Sequence, residues 1–327
     1  MSARASVVEP RVIRDPDPAA WDDLVSAAPD ASVFHTSAWA KVWAGEWRGS
    51  RWEGLVIEDG SRYVAAIGAI VRRRGLATTV DAMPYATYGG PIVRADHPDS
   101  GASRRALLEA FAERASKRLV ARAQVTWYDG DRDAIPSALE VTEGFTHVLP
   151  LGADYEQVAD GFAPSTRRLV RQADESGLTV KAADSIEDVE KFYAIAVETV
   201  RRRGGTPKPL SLYRRIFEQM VPAGLARYHL VLHDGAAVAG SLHLFHQGVA
   251  MNWLPVSLES AWHLRPNNYL IASVLETLCA AGYLEYNFGA SPPDAAGLIR
   301  FKEGWGARPR PVVTASRRSG WFQRLRG

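Results

Sequence analysis

Two stretches of the chain repeat one alternation of apolar and polar positions. In the first, the strand-like runs WEGLVIEDG and SRYVAAIGAIV meet at Asp59-Gly60; in the second, ARYHLVLHDG and AAVAGSLHLF meet at Asp234-Gly235. An Asp-Gly step between apolar runs predicts a hairpin, because glycine takes the positive φ that a tight turn demands. Each hairpin follows helical sequence and leads to another strand, then to a further helix and a closing strand. In the first half Ser103 is placed to cap that helix, with Leu107, Phe111, Ala115 and Leu119 recurring every four residues as one apolar stripe. In the second, Leu270, Val274 and Leu278 repeat the spacing and Gly282 ends it. The strands QVTWYDG and LEYNFG follow. Ahead of the second hairpin, Ser185 and Asp188 have capping spacing before Val189, Phe192, Ala196 and Val200, and another helix runs from Ser211 through Ile216, Phe217 and Met220 to a stop at Pro222 and Gly224.

Helices alternating with strands and hairpins predict an α/β protein with two tandem mixed sheets flanked by helices. The boundary falls where EGFTHVLPLG passes into a new helix, giving units 1–155 and 156–327. One large mixed sheet is the alternative.

Composition narrows this little. Of 327 residues 46% are apolar and 23% charged, as in a globular protein, and the net charge of +2 makes no demand for nucleic acid. A lone cysteine, Cys279, rules out a disulfide framework and a cysteine-rich metal site, which fits a reducing cytoplasm. No apolar leader is visible near the start, and the longest apolar run, Tyr63 to Val71, is too short to span a bilayer. A cytoplasmic protein with no bound metal is expected.

Four segments, in order, carry a resemblance: SVFHTSAWAKVW, MPYATYGGPIV, STRRLVRQADESGLTV and LEYNFGASPPDAAGLIRFKEGWGA. Together they make the chain similar to the FemAB-like branch of the GNAT superfamily, in which two GNAT folds are fused in tandem. The resemblance implies GNAT-like halves that share a cleft, the first (1–155) on the acceptor side and the second (156–327) on the donor and catalytic side. It also implies acyl transfer to an amine, in cell-envelope, peptidoglycan or polysaccharide metabolism. Relatives move amino acids from aminoacyl-tRNA to peptidoglycan precursors, or acyl groups from coenzyme A thioesters. The acyl donor is then a co-substrate, either acyl-CoA or aminoacyl-tRNA, with no tightly bound cofactor. The acceptor is a small molecule or a lipid- or nucleotide-linked precursor, and no DNA partner is expected. An acyl-CoA-dependent N-acyltransferase of a small metabolite and a non-catalytic binding module are the competing readings.

Direct attack by an amine needs a polarised carbonyl and a stabilised oxyanion, not a nucleophilic side chain. That agrees with the absence of a GxSxG elbow. Lys302, in the glycine-rich segment Gly297 to Gly306, is the candidate cation, and the family's matching lysine lies in the active cleft; a surface lysine paired with Glu303 is the alternative. Asp294 is a candidate to accept the amine's proton, or is a loop aspartate capping its neighbours. In the basic cluster Arg167, Arg168 and Arg171, Arg167 and Arg171 are four apart and share a helix face, so their forks can converge on a phosphate of the acceptor, or the face is simply solvated. Lys41 and Tyr88 are candidate acceptor contacts, Tyr88 ahead of Tyr85, beside Gly89 and Gly90, which permit close backbone approach. The helix start at Asn267 and Asn268, with Arg265, is the candidate donor site, since free N–H groups there favour diphosphate. Yet WHLRPNNYL lacks the glycine loop usual in coenzyme-A-binding GNAT proteins. His243 and His246 point to opposite strand faces, and His229 and His233 have no evident acidic or thiol partner, so structural roles are expected. The tail RRSGWFQRLRG, with Trp321, Phe322 and Leu325 among arginines, can touch an anionic membrane surface or fray.

Overall fold

A computed structural model describes residues 9–130 and 132–319. The tail positions Trp321, Phe322 and Leu325, and with them the expected membrane contact, lie outside the described residues.

In chain order the elements are β1 (Arg11–Arg14), α1 (Pro18–Ala27), α2 (Ser37–Glu46), β2 (Ser50–Asp59), β3 (Arg62–Arg74), β4 (Ala77–Ala82), β5 (Ile92–Val93), α3 (Ser100–Ala115), β6 (Val120–Tyr128) and β7 (Glu140–Pro150). There follow α4 (Tyr155–Asp160), α5 (Pro164–Asp174), β8 (Leu178–Ala182), α6 (Ile186–Arg202), α7 (Leu210–Met220), β9 (Ala226–His233), β10 (Ala236–His246), β11 (Val249–Ser257), α8 (Pro266–Ala280), β12 (Glu285–Ala290), α9 (Ala296–Glu303) and β13 (Arg308–Arg318). Short 3₁₀ turns join several of them. No helix among the described residues is long and apolar enough to cross a membrane.

The chain forms two compact units, residues 1–143 with 311–327, and residues 144–310. Within the first unit the strands are ordered β1-β2-β3-β4-β6-β13, with β5 paired to β3; within the second they are ordered β8-β9-β10-β11-β12-β7. Both are antiparallel except for one parallel pair at the same place in each order, β4 with β6 and β11 with β12. The repeat read from the hairpins is thus a repeat of topology, and the fold is α/β with tandem mixed sheets.

The units are not consecutive halves, however. The sixth strand of the first sheet is β13, from the end of the chain, and that of the second is β7, which precedes the rest of its unit. A cut at 155/156 therefore separates β7 from β12, its ladder partner from Glu285↔Pro150 to Ala290↔Thr146.

Both hairpins form. Asp234 and Gly235 both take positive φ and close the second as a two-residue loop, whereas in the first Asp59 still pairs with Arg62 and the loop is Gly60-Ser61. The helix stripes bury as their periods demand: Leu107, Phe111 and Ala115 of α3 pack on Leu55, Ile67 and Val125, and Leu270, Val274 and Leu278 of α8 pack on Val231, Ala250 and Tyr286. Ser185 caps α6 by accepting from Asp188 N–H at 3.3 Å. Two expectations fail in α3. Asp99, not Ser103, is the cap, accepting from Ala102 N–H at 3.0 Å, and Ser103 lies inside the helix bonded to His97. Leu119 lies beyond the helix end and is exposed.

Candidate active site

The second unit contains an opening built into its sheet. Parallel β11 and β12 pair only at Val249↔Glu285, Ala250↔Tyr286 and Met251↔Asn287. Beyond that point β11 continues beside β10 as far as Ser257, while β12 continues beside β7. The facing edges of the two arms have lost their ladder, so backbone donors and acceptors there can engage an extended ligand as a strand would. Ligands of sheets with parallel strands commonly sit off the carboxyl ends of such strands.

The first unit has no such gap at the matching place. Its parallel pair β4–β6 runs from Thr78 to Ala82, and Gly89 N–H extends it by donating to the Thr126 carbonyl at 2.9 Å. A Cβ on Gly89 would lie 2.5 Å from the Ala82 carbonyl group, and one on Gly90 would lie 2.3 Å from Trp127 Cβ. These glycines therefore serve close internal packing rather than a ligand. Tyr88 is likewise buried, its ring 4.0 Å from that of Tyr128 and 5.6 Å from Phe34, which corrects its expected role as an acceptor contact. Tyr85, ranked behind it, is the exposed ring of this loop. Lys41 is exposed on α2.

In the second unit each arm of the gap is fixed by polar groups. On β12, Asn287 Oδ1 accepts from Thr146 Oγ1 at 2.6 Å and from Gly289 N–H at 2.7 Å, which shapes a bulge between Asn287 and Ala290. Gly289 takes φ +79° there, a conformation glycine adopts without a Cβ penalty. The bulge turns two carbonyls toward α9, and Lys302 Nζ donates to both, to Gly289 at 2.7 Å and Ala290 at 3.0 Å. Lys302 is only 4% exposed, so the surface pair with Glu303 is not formed. No carboxylate of the described residues lies within ion-pair distance of it. Burial alone pulls its pKa down to about 8.

Beside it stands His147 of β7, fully buried, with neither ring nitrogen hydrogen-bonded among the described residues. Burial first, and then the Lys302 charge, hold its pKa below the usual histidine range. The Ser291 hydroxyl, just past β12, is also buried with no partner among the described residues. Orphaned buried polar groups are uncommon, and three polar side chains at one bulge mark a place for chemistry rather than packing. A lone histidine in a strand gave no sequence signal for this.

The β11 arm ends at Ser257, where several groups meet. Its carbonyl accepts from Thr199 Oγ1 and from Arg202, each at 3.1 Å, and its hydroxyl accepts from Trp262 Nε1 at 3.0 Å and from Asn267 Nδ2 at 3.4 Å. Arg202 stacks over the Trp262 ring at 4.7 Å. At the α8 start, Pro266 has no N–H, and the N–H groups of Asn268 and Tyr269 both turn back to the Arg265 carbonyl. That leaves Asn267 N–H as the free donor of the first turn, a poor cradle for a diphosphate. Arg265 is exposed with φ +59°, and Asn268 is buried.

Asp294 lies exposed in the loop before α9; only its backbone carbonyl is bonded locally, to Ala296 N–H at 3.0 Å. On α5, Arg167 NH1 donates to the Asp160 carbonyl at 3.1 Å, which ties it down, while Arg168 and Arg171, three apart, stay exposed. The exposed basic pair is thus Arg168 with Arg171, rather than Arg167 with Arg171.

Comparison with known proteins bears on this unit most directly. Residues 162–303 match the family described as an acetyltransferase (GNAT) domain, which takes in the gap, α8 and Lys302. No curated protein matches the chain. Among solved structures, FemX superposes with a TM-score of 0.71 at 15% identity, covering 93% of this chain and 96% of its own. The C-terminal domain of a putative lysylphosphatidylglycerol synthetase from Agrobacterium fabrum gives 0.58 at 14% identity, over 92% of this chain and 91% of its own. A tandem GNAT protein from the clavulanic acid biosynthesis pathway gives 0.55 at 15% identity, over 95% and 99%. The fold is therefore that of the FemX-like tandem GNAT proteins.

Proposed function

We propose that this protein is an acyltransferase of the GNAT type that passes an acyl or aminoacyl group to an amine, in metabolism of the cell envelope. The observation that carries the proposal is the parting of β11 from β12 within the segment that matches the GNAT domain, with Lys302 buried at the end of one arm. The donor's acyl end enters the gap and is held by the unpaired strand edges. The acceptor nitrogen attacks the acyl carbon, and the Lys302 ammonium stabilises the oxygen that becomes negative. Neutral His147 is the better-placed acceptor of the amine's proton, because Asp294 is exposed on a loop and has no contact with Lys302 among the described residues. The bond to the donor's sulfur or oxygen then breaks and the donor leaves.

Arg168 and Arg171 on α5 offer two guanidinium forks to an anionic acceptor. The envelope assignment draws on the relatives: a lysylphosphatidylglycerol synthetase joins an amino acid to a lipid, and FemX shares nearly the whole fold. The α8 start, with two of its N–H groups turned back to the Arg265 carbonyl, weighs against a conventional coenzyme A diphosphate site and toward an aminoacyl donor.

Thermal melting with acetyl-CoA, aminoacyl-tRNA and nucleotide-linked peptide tests this, since a ligand at 100 times its dissociation constant stabilises by about 2.7 kcal/mol. A rise in Tm with one donor, and transfer of its labelled acyl group to an amine, are expected. No shift and no transfer with any donor would return the chain to the class of binding modules. The double variant Arg168→Ala, Arg171→Ala is expected to raise the acceptor KM about tenfold with kcat little changed, because it removes charge-assisted contacts made equally in ground and transition states. An unaltered KM would make this helix face a merely solvated one.

A further inference from the structure

On the sheet face that α8 covers, polar side chains form a chain the transfer reaction does not use. His229 Nδ1 lies 3.0 Å from His243 Nδ1, and His243 Nε2 lies 3.0 Å from the Tyr286 hydroxyl. Asn252, on β11, has its Oδ1 taken by Ser241 Oγ. The direction of these bonds follows from satisfying each buried donor. The Tyr286 hydroxyl is buried, and its hydrogen-bond partner among the described residues is His243 Nε2, so its O–H donates there. His243 must therefore carry its proton on Nδ1 and give it to His229 Nδ1. His229 is left with its proton on Nε2, which has no hydrogen-bond partner among the described residues.

His229 lines a cavity of about 250 Å³ under the C-terminal half of α8. Arg227 is the cation on its wall; its guanidinium sits 6.0 Å from the Phe245 ring and meets no carboxylate among the described residues. The remaining wall is mostly apolar, from Phe245, Val274, Leu278 and Tyr283. The cavity thus presents a guanidinium and an imidazole N–H at one side and hydrocarbon at the other. A guanidinium and an N–H side by side, with no carboxylate among the lining residues, favour an anion, and the apolar wall favours a carbon body behind it.

We infer that this cavity is a binding site for a small organic carboxylate whose body is a ring or a short apolar chain. The carboxylate sits between Arg227 and His229 Nε2, and the body lies against Phe245, Val274 and Leu278. The site stands apart from the gap between β11 and β12, and its occupancy does not depend on the transfer reaction.

Titration calorimetry of the whole chain with benzoate, butyrate and inorganic phosphate tests the inference. Benzoate or butyrate is expected to bind one per chain, and phosphate about tenfold more weakly or worse, since it cannot use the apolar wall. Arg227→Gln removes the cation from an exposed position and should weaken benzoate about tenfold. Ala281→Phe, at the exposed rim of the cavity, should block it while leaving the melting temperature without ligand unchanged. No binding of either carboxylate, phosphate as tight as benzoate, or a benzoate affinity that both substitutions leave intact would each overturn the assignment.

Discussion

Lys302→Met lowers the rate of acyl transfer at least about tenfold, because it removes a cation whose contact strengthens as the oxyanion forms. The measurement is kcat with the acceptor saturating; a native kcat would remove Lys302 from the mechanism. The stabilising group is the protonated form, so the native rate should fall as pH rises through about 8, the pKa to which burial brings this side chain.

Stability moves the other way. A lysine whose folded pKa is about 8, below its ordinary 10.5, costs stability in full below pH 8, where folded and unfolded chains both carry the charge. Between those values the unfolded chain binds a proton that the folded chain does not, so stability rises with pH. The rise from this one group is about 3 kcal/mol, most of it reached by pH 10.5 and complete above that. In Lys302→Met that rise is absent. At neutral pH the variant gains by losing a buried charge, and loses roughly 1–3 kcal/mol for each carbonyl left without its donor. Urea unfolding at pH 7 and pH 10 should therefore show the variant falling further behind the native chain at the higher pH. A difference that does not change with pH would mean the lysine titrates normally.

Gly89→Ala should destabilise the protein by about 3 kcal/mol. Its new Cβ would lie 2.5 Å from Ala82 C and O and Met83 N, all backbone atoms, and its N–H bond to Thr126 fixes the segment in place. Backbone cannot yield as a side-chain tip can, so the strain spreads into β4 and β6. Gly101→Ala supplies the contrast. Gly101 lies in α3 with nothing within 4 Å of its Cβ position, so alanine there should stabilise by about 0.5–1 kcal/mol. Urea unfolding separates the two, and a Gly89→Ala chain as stable as the native one would show that the segment is not packed against β4.

What the sequence made legible was local. The two hairpins, the apolar stripes of α3 (as far as Ala115) and α8 and the Ser185 cap are each decided by a few adjacent residues, and each forms. Partners set by long-range pairing were hidden. Nothing in EGFTHVLP or RPVVTASRR says which strand either will pair with, because a strand carries only its own alternation. Histidine roles were hidden for the same reason: His229 and His243 meet only because the hairpin register sets Ser241 opposite His229. Lys302 was singled out through its setting, but its burial was not legible, since α9 sends Lys302 inward and leaves Glu303 outside. Tyr88 was misread because glycines that admit a ligand and glycines that admit a neighbouring backbone look alike in sequence.

The placement of β7 and β13 governs how this chain can be made. A ribosome delivers residues in order, and domains generally fold as they emerge. Here the first sheet has five of its path strands once β6 is out, but the neighbour of β6 is β13, which is synthesised last. Until Arg318 appears, the β6 edge from Arg122 to Tyr128 waits with open backbone groups, the kind of edge that recruits stray strands. The second unit bears no such delay, since β7 is already waiting when β12 arrives. The half that holds Lys302 can thus close its sheet first during synthesis, and the half that begins the chain closes last.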